Sequence, residues 1–188
     1  MLKDSDIRLA LHATEIRRIC DEFPDTRVID ELGLMEGAYR IDVAVVNGKL
    51  HGYEIKSAAD NLDRLPTQQA SYNKIFDKLT LVVDACHMEK ALNLVPQCWG
   101  LIVAQDVNGK AQLNEIWPPR LNYAIDPYCL SQLLWRDEAW QVLKERKIGR
   151  GLWDKPRKVL WRTLAANVPV EELKNIVRST LKNRQGWR

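Results

Sequence analysis

The sequence predicts an α/β fold: a mixed central sheet flanked by helices, with a helical region appended at the C-terminus. Three observations carry this. Apolar periodicity switches along the chain in the order α-β-β-β-α-β-(α)-β, which implies strands of mixed direction covered by helices. Asn47-Gly48 separates two strongly apolar runs and is a hairpin signal. Pro118-Pro119 closes the strand-bearing part, and only helical patterns follow it. The chain therefore divides into an α/β core, residues 1–118, and a basic, Trp-rich helical region, residues 119–188.

Taken in order, residues 4–21 read as a helix capped by Asp4 or Ser5, with Ile7, Leu11, Ile16 and Ile19 on its apolar face. Glu15 falls on the same side, and Pro24-Asp25 end the segment. Thr26 to Leu34 reads as a strand that contains Glu31, and Gly33 and Gly37 mark the turn into the strand RIDVAVV. The partner strand runs from Leu50 to near Ser57. After a polar connection, Pro66 suits the first turn of a helix reaching about Asp77. Leu79–Val83 and Trp99–Gln105 read as buried strands around a short helix, Met88–Asn93. Beyond the prolines, helices are expected over 129–147, 154–166 and 170–183. Trp135, Trp140, Trp153, Trp161 and Trp187 are read as packing residues in preference to base-stacking ones, because Trp contributes mostly through buried area.

The bulk composition, 46% hydrophobic and 28% charged over 188 residues, is that of a water-soluble globular chain. The start, MLKDSDIR, is charged, and no apolar run approaches the ~18 residues of a membrane span. A cytoplasmic protein with no membrane partner is expected. Cys20, Cys86, Cys98 and Cys129 form no metal-ligand or disulfide spacing and read as reduced, partly buried thiols. His12, His51 and His87 form no constellation. Charge is uneven: residues 1–118 carry 13 basic against 18 acidic side chains, and residues 119–188 carry 15 against 7. An acidic body with a basic tail suits a polyanionic partner. Lys144, Arg146, Lys147, Arg150, Lys155, Arg157 and Lys158 are the candidate phosphate contacts, with Arg40 and Arg64 in the core.

Three polar residues interrupt the apolar hairpin: Asp42 in the first strand, Glu54 and Lys56 in the second. Charge on the inner face of a strand is costly to desolvate unless something compensates it. Two carboxylates and an ammonium suit a divalent metal and a water beside a phosphodiester, so the residues point to a metal-dependent nuclease. Asp42, Glu54 and the Ile55 carbonyl would bind Mg²⁺ or Mn²⁺, and Lys56 would position the attacking water. Glu31 or Glu15 could supply a further carboxylate. Gln68 and Tyr72, four apart on one helical face, could point at the same phosphate. Read alone, Glu54-x-Lys56 is equally a cross-strand ion pair. Register also matters. A strict two-residue loop pairs Val46 with Lys49 and sends Asp42 and Glu54 to opposite faces, so a shared site needs one extra residue between Val46 and Tyr53. A three-residue loop or a bulge at Gly52 would supply it.

These residues resemble the PD-(D/E)XK nuclease superfamily, with the restriction-endonuclease-like fold. Asp42 matches its first acidic position, Glu54-Ile55-Lys56 its (D/E)-x-K element, and Gln68 and Tyr72 the Q-x-x-x-Y helix of its RecB-like branches. Tyr39-Arg40-Ile41-Asp42 replaces the Pro-Asp of the name. The run from Glu31 to Val83 is similar to a small bacterial and phage family within that superfamily. The resemblance covers about residues 1–105. It implies an αβββαβ core, Mg²⁺-dependent phosphodiester cleavage and DNA as the usual substrate, with a homodimer as a common arrangement for addressing two strands. A catalytically inactive nucleic-acid-binding or assembly module on the same fold is the alternative.

Overall fold

The computed structural model describes residues 1–187. The chain opens with α1 (Asp4–Leu11), a wider π-helical turn (His12–Ile16) and α2 (Arg17–Glu22), which together form one continuous rod. Its start is closed by Asp6, whose carboxylate accepts the Lys3 N–H at 2.9 Å, so the capping acid lies further inside the helix than the position expected. Then come β1 (Arg27–Leu34), β2 (Tyr39–Val46), β3 (Leu50–Lys56), α3 (Leu65–Tyr72), β4 (Lys78–Asp84), α4 (Met88–Leu94), β5 (Gly100–Val107) and β6 (Lys110–Trp117). The C-terminal region supplies α5 (Pro127–Ser131), α6 (Arg136–Glu145), α7 (Arg157–Asn167) and α8 (Val170–Asn183).

The six strands lie side by side in sequence order. The pairs β1–β2, β2–β3 and β5–β6 are antiparallel, while β3–β4 and β4–β5 are parallel. The mixed sheet flanked by helices is thus as expected, and the order α-β-β-β-α-β is present. Both faces are covered. On one, Ile7, Leu11 and Ile16 pack against Val43, Val45, Tyr53, Ile55, Val82 and Ile102. On the other, α3 and the C-terminal helices share a single apolar cluster with Ala44, Val46, Leu50, Leu79, Leu81, Val83, Leu101 and Val103.

Three differences from the sequence expectation have local causes. The strand β6 is an addition; it forms an edge whose side chains are mostly half-exposed or exposed, so its apolar alternation is weak. The helix from Pro66 stops at Tyr72 instead of Asp77, because the Asn122 side chain donates to the Asn73 and Phe76 carbonyls at 2.6 and 2.9 Å and turns the chain there. The helix expected over 129–147 is two helices. In the gap between them, Arg184 donates to the Leu133 carbonyl at 2.7 Å, the Trp161 indole donates to that of Leu134 at 3.0 Å, and Glu138 accepts the Trp135 N–H at 2.7 Å. Buried backbone groups keep partners without a continuous helix.

The stretch after Pro118-Pro119 is strapped to the core by backbone bonds: Arg120 N–H to Cys98, Asn122 N–H to Asp77 and Asp126 N–H to Lys74, all at 2.8–2.9 Å. A buried ionic knot reinforces it. Asp77, 3% exposed, accepts the Leu50 N–H at 2.9 Å and faces Lys174 at 3.4 Å and Arg178 at 3.1 Å from α8. No described helix is long and apolar enough to cross a membrane. All four cysteines are free; Cys86 is exposed and the other three are half-buried.

Candidate functional site

The site begins with the hairpin. Asn47, Gly48 and Lys49 form a three-residue loop, closed by the Asn47 N–H to the Lys49 carbonyl at 3.1 Å, and Val46 pairs with Leu50. This supplies the extra residue that a shared site requires. Gly52 is not a bulge: it pairs with Ala44, and a Cβ there would meet Ile41 Cδ1 at 2.6 Å. The ladder ends at Val43–Tyr53. In that register the next pair would be Asp42 and Glu54, so the two carboxylates face each other where the strands part.

Asp42 fills the parting. Its Oδ2 accepts the Ile55 N–H at 2.6 Å, so a side chain replaces the backbone partner that the ladder no longer provides. Arg8, from α1, donates to the Asp42 carbonyl at 2.7 Å and to Oδ1 at 3.1 Å. The same guanidinium lies 2.7 Å from Glu31 and 3.2 Å from Asp4. Glu31 stands beside Asp42 because β1 pairs with β2 in the register Asp30–Val43 and Leu32–Ile41. It has a left-handed backbone, φ 56°, and its other oxygen holds the exposed Arg40 at 2.5 Å.

Glu54 is held from the α3 side. Its side chain is 3% exposed, and Lys56 Nζ lies at 2.7 Å. Gln68 donates to the same oxygen at 2.5 Å. The Tyr72 hydroxyl lies 3.1 Å from the other oxygen and 2.8 Å from the Arg40 carbonyl. Gln68 Oε1 is buried without a hydrogen-bond partner among the described residues. The sequence pairing of Gln68 with Tyr72 on one helical face is therefore realised, and both reach Glu54.

Burial, and then the negative charge of Glu54, push the Asp42 carboxyl up to about 7, against the opposing effects of the Ile55 N–H and Arg8. Glu54 is also raised, by burial, with Lys56, Tyr72 and Gln68 holding it back. The two carboxyls titrate as a pair. Burial and then the Glu54 charge raise the Tyr72 hydroxyl too. The arrangement can hold or release a proton near neutral pH, and its two carboxylates suit hard cations. Among the described residues no group of three or more His, Cys, Asp or Glu side chains is placed to hold a metal ion.

Asp42, Glu54, Lys56, Gln68 and Tyr72 thus come together, with Glu31 joined through Arg8. Glu15 stays outside, ion-paired with Arg18 at 3.0 Å. Arg64 is exposed at the start of α3. Of the basic tail, Arg157 and Lys158 pair with Glu36 at 2.8 and 3.0 Å, and Arg146 with Glu172. Lys155 lies only 3.8 Å from its neighbour Asp154. Lys144, Lys147 and Arg150 are exposed and make no ion pair among the described residues. Sequence reasoning misses Arg8. Its place beside Ile7 and three residues before Leu11, at the edge of the apolar stripe, is the available signal.

The family model described as Bacteriophage P4 protein cII matches residues 12–187. Protein cII of Enterobacteria phage P4 is 22% identical over 184 residues, covering 98% of this chain and 68% of the relative. No solved structure matches. These matches overturn the expected PD-(D/E)XK membership and the expected Mg²⁺-dependent phosphodiesterase, or deoxyribonuclease, activity: neither the family nor the relative is described as a nuclease or a hydrolase. The motifs behind that expectation are short. In the fold, Lys56, Gln68 and Tyr72 are bound to Glu54 itself, which is a sufficient structural reason for them to occur at this spacing.

Proposed function

The chain belongs to the bacteriophage P4 protein cII family, and on that footing we propose that it binds nucleic acid, DNA in the first place, in the cytoplasm. The observation that carries the reading is the cationic segment 144–158, with seven basic and two acidic side chains. Its surface is not neutralised from within, since Lys144, Lys147 and Arg150 stand exposed and unpaired among the described residues. Phosphate backbones are bound through such cations by release of counterions, whatever the base sequence.

The test is the salt dependence of binding to duplex and single-stranded DNA, followed by fluorescence anisotropy. Removing one cation that neutralises a phosphate should flatten the slope of log K against log salt by about 0.9 for duplex DNA. The triple variant Lys144→Ala, Lys147→Ala, Arg150→Ala should be flatter than the unaltered protein. An unchanged slope, or no binding of the unaltered protein at low salt, rejects the proposal.

A second proposal concerns the carboxylate pair. We propose that Asp42 and Glu54, with the Ile55 carbonyl, take up Mg²⁺ or Mn²⁺. What supports it is that the β2–β3 register sets the two carboxylates opposite each other where the strands part, with burial and then their mutual repulsion raising Asp42, a repulsion that a divalent cation would relieve. No bond-breaking role is assigned to the ion.

A further inference from the structure

Of the C-terminal tryptophans, two are exposed, and Trp153 is far more so than Trp135, which is 39% exposed. Trp161 is 2% exposed, whereas Trp153 is 68% exposed. Exposing most of an indole to water forgoes the burial for which Trp is usually placed. The ring is nevertheless held in position. The Arg136 guanidinium lies 5.9 Å from its centroid and also donates to the Trp153 carbonyl. Trp140 meets it edge-on at 6.0 Å. Trp140 in turn rests on the backbone of Gly149, where a Cβ would meet its ring at 2.8 Å, and the turns Leu152–Gly149 and Lys155–Leu152 close at 3.0 and 3.1 Å. The loop is thus braced around an indole left open to solvent.

Its surroundings are cationic. Lys147 and Arg150 precede it in the same loop, and Lys155 follows two residues later. All three are exposed. The nearby acids are Asp154, beside Lys155, and Asp137, which is paired with Arg136 at 3.1 Å. An exposed aromatic platform flanked by phosphate-seeking cations is the combination that unpaired nucleic acid requires: the ring takes a base face and the cations take the backbone. A duplex keeps its bases stacked and offers that ring nothing.

Resting on the nucleic-acid reading above, we infer that the Trp153 loop is a single-strand-binding element on which an unpaired base stacks. The charge of the loop complements the phosphates, and the preset ring lowers the ordering cost of binding.

The experiment compares the full chain with Trp153→Ala and Trp153→Phe, using a labelled short oligothymidylate, the matching duplex, and polyglutamate as an anionic protein mimic. Circular dichroism checks that each variant melts as the parent does. Trp153→Ala should weaken oligothymidylate binding roughly tenfold or more, leave duplex binding unchanged, and be largely rescued by Phe. If the parent binds DNA but Trp153→Ala changes neither affinity, or changes both equally, this inference fails while the nucleic-acid reading stands. If the parent binds no nucleic acid, both fail. Polyglutamate bound as tightly, with the same dependence on Trp153, would make an acidic protein surface the occupant and overturn the single-strand assignment.

Discussion

Replacing Asp42 by Asn removes one ionisable group from the parted hairpin while keeping an oxygen to accept the Ile55 N–H. In the folded protein the carboxyl is raised from 3.8 to about 7. That displacement corresponds to about 4 kcal/mol of preference for the protonated form, an upper figure for what the substitution can return. The sign follows from proton counting. Between about pH 4 and about pH 7 the folded chain holds a proton at Asp42 that the unfolded chain has released, so stability contributed by this group is lost as pH rises through that window. Asp42→Asn should therefore gain stability relative to the parent from pH 4 upward and reach its full advantage, up to about 4 kcal/mol, above pH 7. Urea unfolding of both proteins at a series of pH values reads the difference directly. A difference that is independent of pH, or a variant whose disadvantage grows above pH 7, would show that Asp42 is ionised throughout and serves mainly as the partner of Arg8.

Asp77→Ala leaves the Leu50 N–H without an acceptor and removes the buried carboxylate shared by Lys174 and Arg178, which keep only the exposed Glu171 and the Asn175 side chain, and should cost about 3–5 kcal/mol in urea unfolding. A loss under about 1 kcal/mol, typical of an exposed pair, would mean that the knot is open to water. For the divalent ion, calorimetric titration with Mg²⁺ or Mn²⁺ should give saturable heat that disappears in Glu54→Gln, and the ion should shrink the stability loss at Asp42 by favouring its ionised form in the folded chain. An absence of heat in the parent removes the ion from the site.

Much of the site was legible because hairpins obey parity. Asp42 and Glu54 could share a site only with one extra residue between Val46 and Tyr53, from a three-residue loop or a bulge at Gly52, and Val46 pairing with Leu50 shows that it is the loop. The alternation of Glu54 with Lys56 and the four-residue spacing of Gln68 and Tyr72 likewise translate into contacts without further information. What those contacts were for was not legible. A short acidic and basic motif has the same spacing whether it handles a substrate or satisfies its own buried charges, and local pattern alone does not separate the two. Arg8 was invisible for another reason: an arginine beside an apolar stripe reads as solvent-facing until the sheet beneath supplies Asp42 and Glu31. The split between α5 and α6 depends on Arg184, some fifty residues away, and Trp153 differs from Trp161 only through what the fold places over each ring.

Glu31 has one more consequence. It sits in the middle of an outermost strand, and its left-handed backbone breaks the even row of amide and carbonyl groups that such a strand would otherwise present. The pairing of β1 with β2 keeps one register on both sides of it, Asp30 with Val43 and Leu32 with Ile41, so the interruption is confined to Glu31 itself. The residue that anchors Arg8 thereby also interrupts the extended backbone of an edge strand, and an interrupted edge is a poorer template for pairing with another chain.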